Sequence, residues 1–172
     1  MSISEAFSVV SSTAVVITLI FLFFQMRQTN RNQQALLQQG RSARISDAIV
    51  QRANPLLAET WGRAQKGEAL DSIQVQALGA WLTACFYNFE DSFLQHRNGL
   101  LPRDAWESEV AWMSAFLTMP FVRTGWTMTR GTMAAEFRSY VDGLLAGIEP
   151  RKPFDFLEYW NEFMKQELAK AV

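Results

Sequence analysis

Hydrophobic positions fall into two regimes along the chain. From Ala6 to Met26 no charge interrupts 21 consecutive residues, and Val, Ile, Leu, Phe and Ala dominate them. A helix of that length rises roughly 31 Å, the thickness of a bilayer's hydrocarbon core. The run is apolar around nearly its whole circumference, whereas the helices of a water-exposed domain keep a polar face. The expected element is therefore a transmembrane helix, with residues 1–26 as the anchor. A cleaved signal peptide fits less well, because Glu5 is the only charged side chain ahead of the run and no small-residue cleavage box follows Phe24. One face of the run is small: Ser4, Ser8, Ser11 and Ser12 lie with Val15 at helical spacing, and Ala14 and Thr18 repeat it. Such a face lets a second membrane helix approach closely, although hydroxyls also bond back to the preceding turn.

After Met26 the pattern changes to amphipathic. Gln25 to Gln39 is polar on all sides and lacks a breaker until Gly40, so residues 27–54 read as a helical stalk. Pro55 starts a short helix reaching about Lys66. Asp71 or Ser72 then caps a long helix whose stripe is Leu78, Leu82, Cys85, Phe89, Phe93 and His96. Gly99 in the left-handed conformation and Pro102 end it, with Leu100 folding back toward Leu94. The same spacing recurs in Trp106, Val110, Met113 and Leu117, in a helix from Arg103 to Met119. A turn carrying Phe121, Val122 and Trp126 follows. Thr132 is expected to cap a helix bearing Met133, Phe137, Tyr140, Val141, Leu144 and Ile148, and a last helix occupies Pro153 to about Lys170. No stretch alternates with period two for long enough to form a strand. The expected fold is all-α: the membrane helix, the stalk and a cytoplasmic bundle of about five helices over residues 55–172.

Charge sets the orientation. Arg27, Arg31, Arg41 and Arg44 follow the apolar run, which places the amino end outside, the C-terminal domain in the cytoplasm and these arginines at the membrane surface. A single cysteine excludes a disulfide scaffold and suits a reducing compartment. Residues 27–66 carry seven basic against two acidic side chains; residues 67–122 carry two against seven. An acidic middle is the wrong sign for nucleic acid, and no such partner is expected.

Candidate chemistry is sparse. Cys85 and His96 are eleven residues apart on one helix, so their backbones are separated by roughly 16 Å and cannot form a thiolate–imidazole pair. No nucleophile elbow, phosphate loop or H-E-x-x-H motif is present, and one histidine cannot supply a di-iron bundle. Hence no catalytic residue, cofactor or metal is expected. Glu90 and Asp91 read as solvated or Arg-paired, and His96 as a helix-end residue bonding the last carbonyls. The six tryptophans belong mostly to the core. Trp112 lies off its stripe, and Met119, Pro120, Phe121 and Val122 form a Pro-broken apolar run, so these are the candidate partner-binding residues.

The span ending Gln25 to Arg31, the central Tyr87 to Leu101 and the following Trp106 resemble a group of bacterial single-span inner-membrane proteins with a helical cytoplasmic domain and no assigned activity. The resemblance implies that architecture and setting, and no catalytic residue. Together these readings point to a non-catalytic, membrane-anchored accessory or assembly subunit of a larger inner-membrane complex, for example photosynthetic or respiratory. Its partners would be the lipid bilayer and other membrane subunits. The alternatives are a homo-oligomeric scaffold and a small-ligand sensor with an aromatic pocket lined by Trp81, Phe89 and His96.

Overall fold

The computed structural model describes residues 3–170, with side chains described for residues 13–170. Among the described residues the chain is all-α, with seven helices and no strand. They are α1 (Ile3–Arg52), α2 (Pro55–Gln65), α3 (Ser72–Arg97), α4 (Arg103–Phe116), α5 (Pro120–Thr129), α6 (Ala135–Gly147) and α7 (Phe156–Lys170). The chain divides into two units, Met1–Ala43 and Arg44–Val172.

In the first unit, α1 runs on through Gly40. A single interior glycine costs only about 1 kcal/mol relative to Ala, which flanking turns absorb. The side chains from Val15 to Phe24 are exposed on all sides of the helix. Thr18 Oγ1 donates back to the Ala14 carbonyl at 2.8 Å. Among the described residues no helix is long and apolar enough to cross a membrane. The expected span begins at Ala6, and Ser4, Ser8, Ser11 and Ser12 lie outside the described side chains.

The second unit is arranged around α3, which packs against α2, α4 and α5. Its start is doubly specified: Asp71 accepts from Gln74 N–H while Gln74 Oε1 accepts from Asp71 N–H, a capping box. Its end is a Schellman motif. Gly99 takes φ +71°, its N–H donates to His96 O, and Leu100 N–H donates to Gln95 O. Gly67, at φ +74°, closes α2 in the same way through Ala64 O and Arg63 O. The expected stripe is buried through Leu78, Leu82, Cys85 and Phe89, and it is joined by Trp81 and the fully buried Phe86. A helix flanked on three sides buries more than one stripe, which is why Phe86 meets Trp126 at 5.1 Å on a face the simple periodicity left out.

Two local expectations are corrected. The stretch after Pro120 is the ten-residue helix α5, with proline in its first turn, rather than a turn. Thr132 does not cap α6: its hydroxyl donates to Thr129 O within a 3-10 turn, and the N-cap position is Ala134. The carboxylate of Glu90, from α3, accepts the Ala134 N–H at 2.6 Å instead. That bond satisfies the N–H of the N-cap residue and sets a carboxylate at the positive end of the helix dipole.

Candidate functional site

Two surface features of the second unit stand out, a groove and a helix. The groove begins where Asn54 caps α2 through Leu56 N–H at 3.0 Å and Pro55 turns the chain. That turn sets Trp61 edge-on to Trp81 at 5.3 Å and to Phe121 at 4.8 Å. Phe116 lies nearly parallel to Trp61 (18°, 6.0 Å), and Trp112 nearly parallel to Phe116 (21°, 5.0 Å). The segment after α6 closes the far side. Arg151 N–H donates to Thr118 O at 2.6 Å, Phe154 N–H to Gln65 O at 3.0 Å, and Lys66 pairs with Asp155 at 2.7 Å. The Asp155 carboxyl is held below its ordinary range, first by the hydrogen bond from Lys66 and then by the Leu157 N–H it caps. The resulting cavity is about 600 Å³.

Its charged lining consists of Arg52 and Arg151. The Arg52 guanidinium lies 5.0 Å over Trp61, and that of Arg151 lies 4.7 Å over Phe154 and 5.6 Å from Tyr159. Neither joins an ion pair among the described residues.

The helix is α7. It carries Phe156, Leu157, Tyr159, Trp160, Phe163, Met164 and Leu168, and none of its residues is buried. At 100° per residue these seven occupy one half of the helix, which Glu167 and Lys170 share near its C-terminal end, with Asn161, Glu162, Lys165 and Gln166 on the other half.

The residues singled out from sequence have mixed fates. Arg27 and Arg31 are exposed and Val15 is 55% exposed. Arg44 pairs with Asp91 at 2.6 Å, and Asp91 also accepts from Gln95. Trp112 is half exposed, 5.3 Å from Phe89, and forms one wall of the groove. The Met119 to Val122 run is not an open patch. Pro120 alone is exposed, Met119 and Phe121 pack against the core, and Val122 is fully buried. An apolar run that begins a helix turns its side chains inward within one turn.

His96 does not bond the helix-end carbonyls, which Gly99 and Leu100 occupy; its ring stacks on Trp106 at 4.8 Å and 8°. Cys85 is buried, and burial pushes its thiol up to about 12. Trp81 and Phe89 belong to the packed core, so the aromatic pocket is elsewhere than expected. Sequence reasoning missed Arg52, Arg151 and the unburied face of α7. Among the described residues no group of three or more His, Cys, Asp or Glu side chains is placed to hold a metal ion. Compared with models of known families, with curated proteins and with solved structures, the chain shows no match.

Proposed function

We propose that the chain is a non-catalytic accessory or assembly subunit of a bacterial inner-membrane complex, anchored by residues 6–26 with its C-terminal domain in the cytoplasm and docking onto its partner through α7. The observation that carries this reading is α7 itself: seven large apolar side chains on one half of a helix, none of them buried. Each such side chain contributes roughly 1.5–3 kcal/mol when fully removed from water. A partner surface is one setting that realises that energy. The anchor is supported by the first unit, where Val15, Ile17, Leu19, Phe21, Phe23 and their neighbours face outward all round the helix, a distribution suited to lipid or to membrane neighbours.

Two measurements test the reading. Membranes washed at alkaline pH should retain the chain, and gentle detergent extraction should recover it with a defined membrane partner. Replacing Trp160 and Phe163 with Asp should release that partner while the chain stays in the membrane. Release of the chain by the alkaline wash would sink the anchor, and crosslinking that yields homotypic products alone would favour the homo-oligomeric scaffold over an accessory subunit.

A further inference from the structure

Arginines in the second unit are mostly matched to acids. Arg44, Arg63, Arg97, Arg103 and Arg130 pair with Asp91, Glu68, Glu136, Glu107 and Asp142, and Arg123 is bonded to the carbonyls of Leu117 and Ile148. Arg52 and Arg151 differ in kind. Both line the same groove, both lie over aromatic rings, and the groove's lining contains no Asp or Glu. The surrounding sequence makes this pattern more pointed, since residues 67–122 carry a clear excess of acid.

The remaining lining is aromatic and aliphatic. Trp61, Phe116 and Trp112 lie within about 20° of parallel with their neighbours in the series, and Trp112, at its outer end, is half exposed. A flat ring added to that series gains offset stacking at little cost in rearrangement. Guanidiniums already resting on ring faces are ordered before any ligand arrives, and each retains its in-plane N–H donors for a carboxylate. A volume of about 600 Å³ lies within the range of small-molecule sites.

We propose that this groove binds a planar aromatic carboxylate, with its ring against the half-exposed Trp112 and its carboxylate facing Arg52 and Arg151. The site does not rest on the membrane anchor, and it shares only Phe156 and Tyr159 with the docking face of α7. Its occupant is small, and its recognition combines stacking with charge. A neutral aromatic lacks the second component and an aliphatic anion lacks the first.

The test uses the full-length chain, in buffer or in phosphatidylcholine nanodiscs as its solubility requires, titrated with 2-naphthoate and, separately, with 2-naphthamide. Tryptophan fluorescence and calorimetry report binding. The expected result is saturable binding of one naphthoate per chain, with the amide weaker by roughly tenfold or more because the charge-assisted hydrogen bonds are lost. Arg151→Gln and Arg52→Gln should each weaken naphthoate by about tenfold and narrow the gap between acid and amide. Absence of saturable naphthoate binding, or equal affinity for acid and amide, overturns the proposal. The acid–amide comparison uses the unaltered protein, so it decides the matter even if an arginine variant fails to fold.

Discussion

Asp142 shows how one residue couples the core to solution pH. Its Oδ1 accepts the indole N–H of Trp126 at 2.9 Å, and its other oxygen pairs with Arg130. The Trp126 bond, followed by the Arg130 contacts, holds the carboxyl below its ordinary value. A carboxyl depressed in the folded state contributes stability that is complete above its unfolded pKa and disappears as pH falls through the lower folded one. Acid should therefore remove this contribution below about pH 4. Trp126 is 1% exposed, so Asp142→Ala strands a buried donor and should cost about 1–3 kcal/mol, with Asp142→Asn closer to neutral at pH 7. Urea unfolding at pH 7 and pH 3 checks both, since the gap between the native protein and Asp142→Asn should narrow in acid.

Cys85 makes the complementary case. Its thiol is buried beside no activating base and is raised to about 12, so the thiolate is scarce at neutral pH. Native protein should resist maleimide at pH 7.5 and react fully in denaturant, a difference that mass spectrometry reads directly. Labelling of the native form would contradict the packing assigned to α3.

Helices here are positioned by small residues and by caps borrowed across the fold. Gly125 on α5 meets α3 so closely that a Cβ would lie 2.6 Å from Leu82 Cδ1 and 3.3 Å from Leu82 Cβ. Leu82 is 2% exposed, leaving its side chain little room to yield. Gly125→Ala should accordingly destabilise by about 1–3 kcal/mol despite its gain in helix propensity. Gly62→Ala, on α2 with nothing within 4 Å of the added carbon, should be neutral or stabilising by up to about 1 kcal/mol. Thermal melts of the two variants should move apart, and a matching loss in both would remove the close approach of α3 and α5 as the cause.

Across the whole molecule, stability and surface apolarity are separated. The core cluster is built by α2 to α6, with Phe86, Met113, Leu117, Val122, Trp126, Phe137 and Val141 essentially inaccessible to water. Helix α7 contributes no buried residue to it and is tied on mainly through its leading segment, by Lys66–Asp155 and the Phe154 and Arg151 backbone bonds. Trp160→Asp with Phe163→Asp should therefore leave the unfolding midpoint within about 4 °C of the parent, because each exposed substitution outside the core changes stability by about 0.5 kcal/mol or less. Scanning calorimetry checks this, and a large fall would place α7 within the cooperative core.

Local rules specified much of this chain from sequence alone. The all-α class, an N-cap at Asp71 or its neighbour Ser72, the left-handed Gly99 and the buried positions Leu78, Leu82, Cys85 and Phe89 follow from periodicity and from residues with special backbone or capping chemistry. Those properties depend on neighbours a few positions away, which a sequence displays. Tertiary structure decided what depended on distant partners: Glu90 rather than Thr132 at the start of α6, Val122 facing inward, and His96 against Trp106. It also separated two helices whose patterns look alike. The stripes of α6 and α7 are both amphipathic, yet Phe137 and Val141 are sealed in the core while Trp160 and Phe163 face outward. Periodicity identifies an apolar face, but only the placement of other helices determines whether anything covers it.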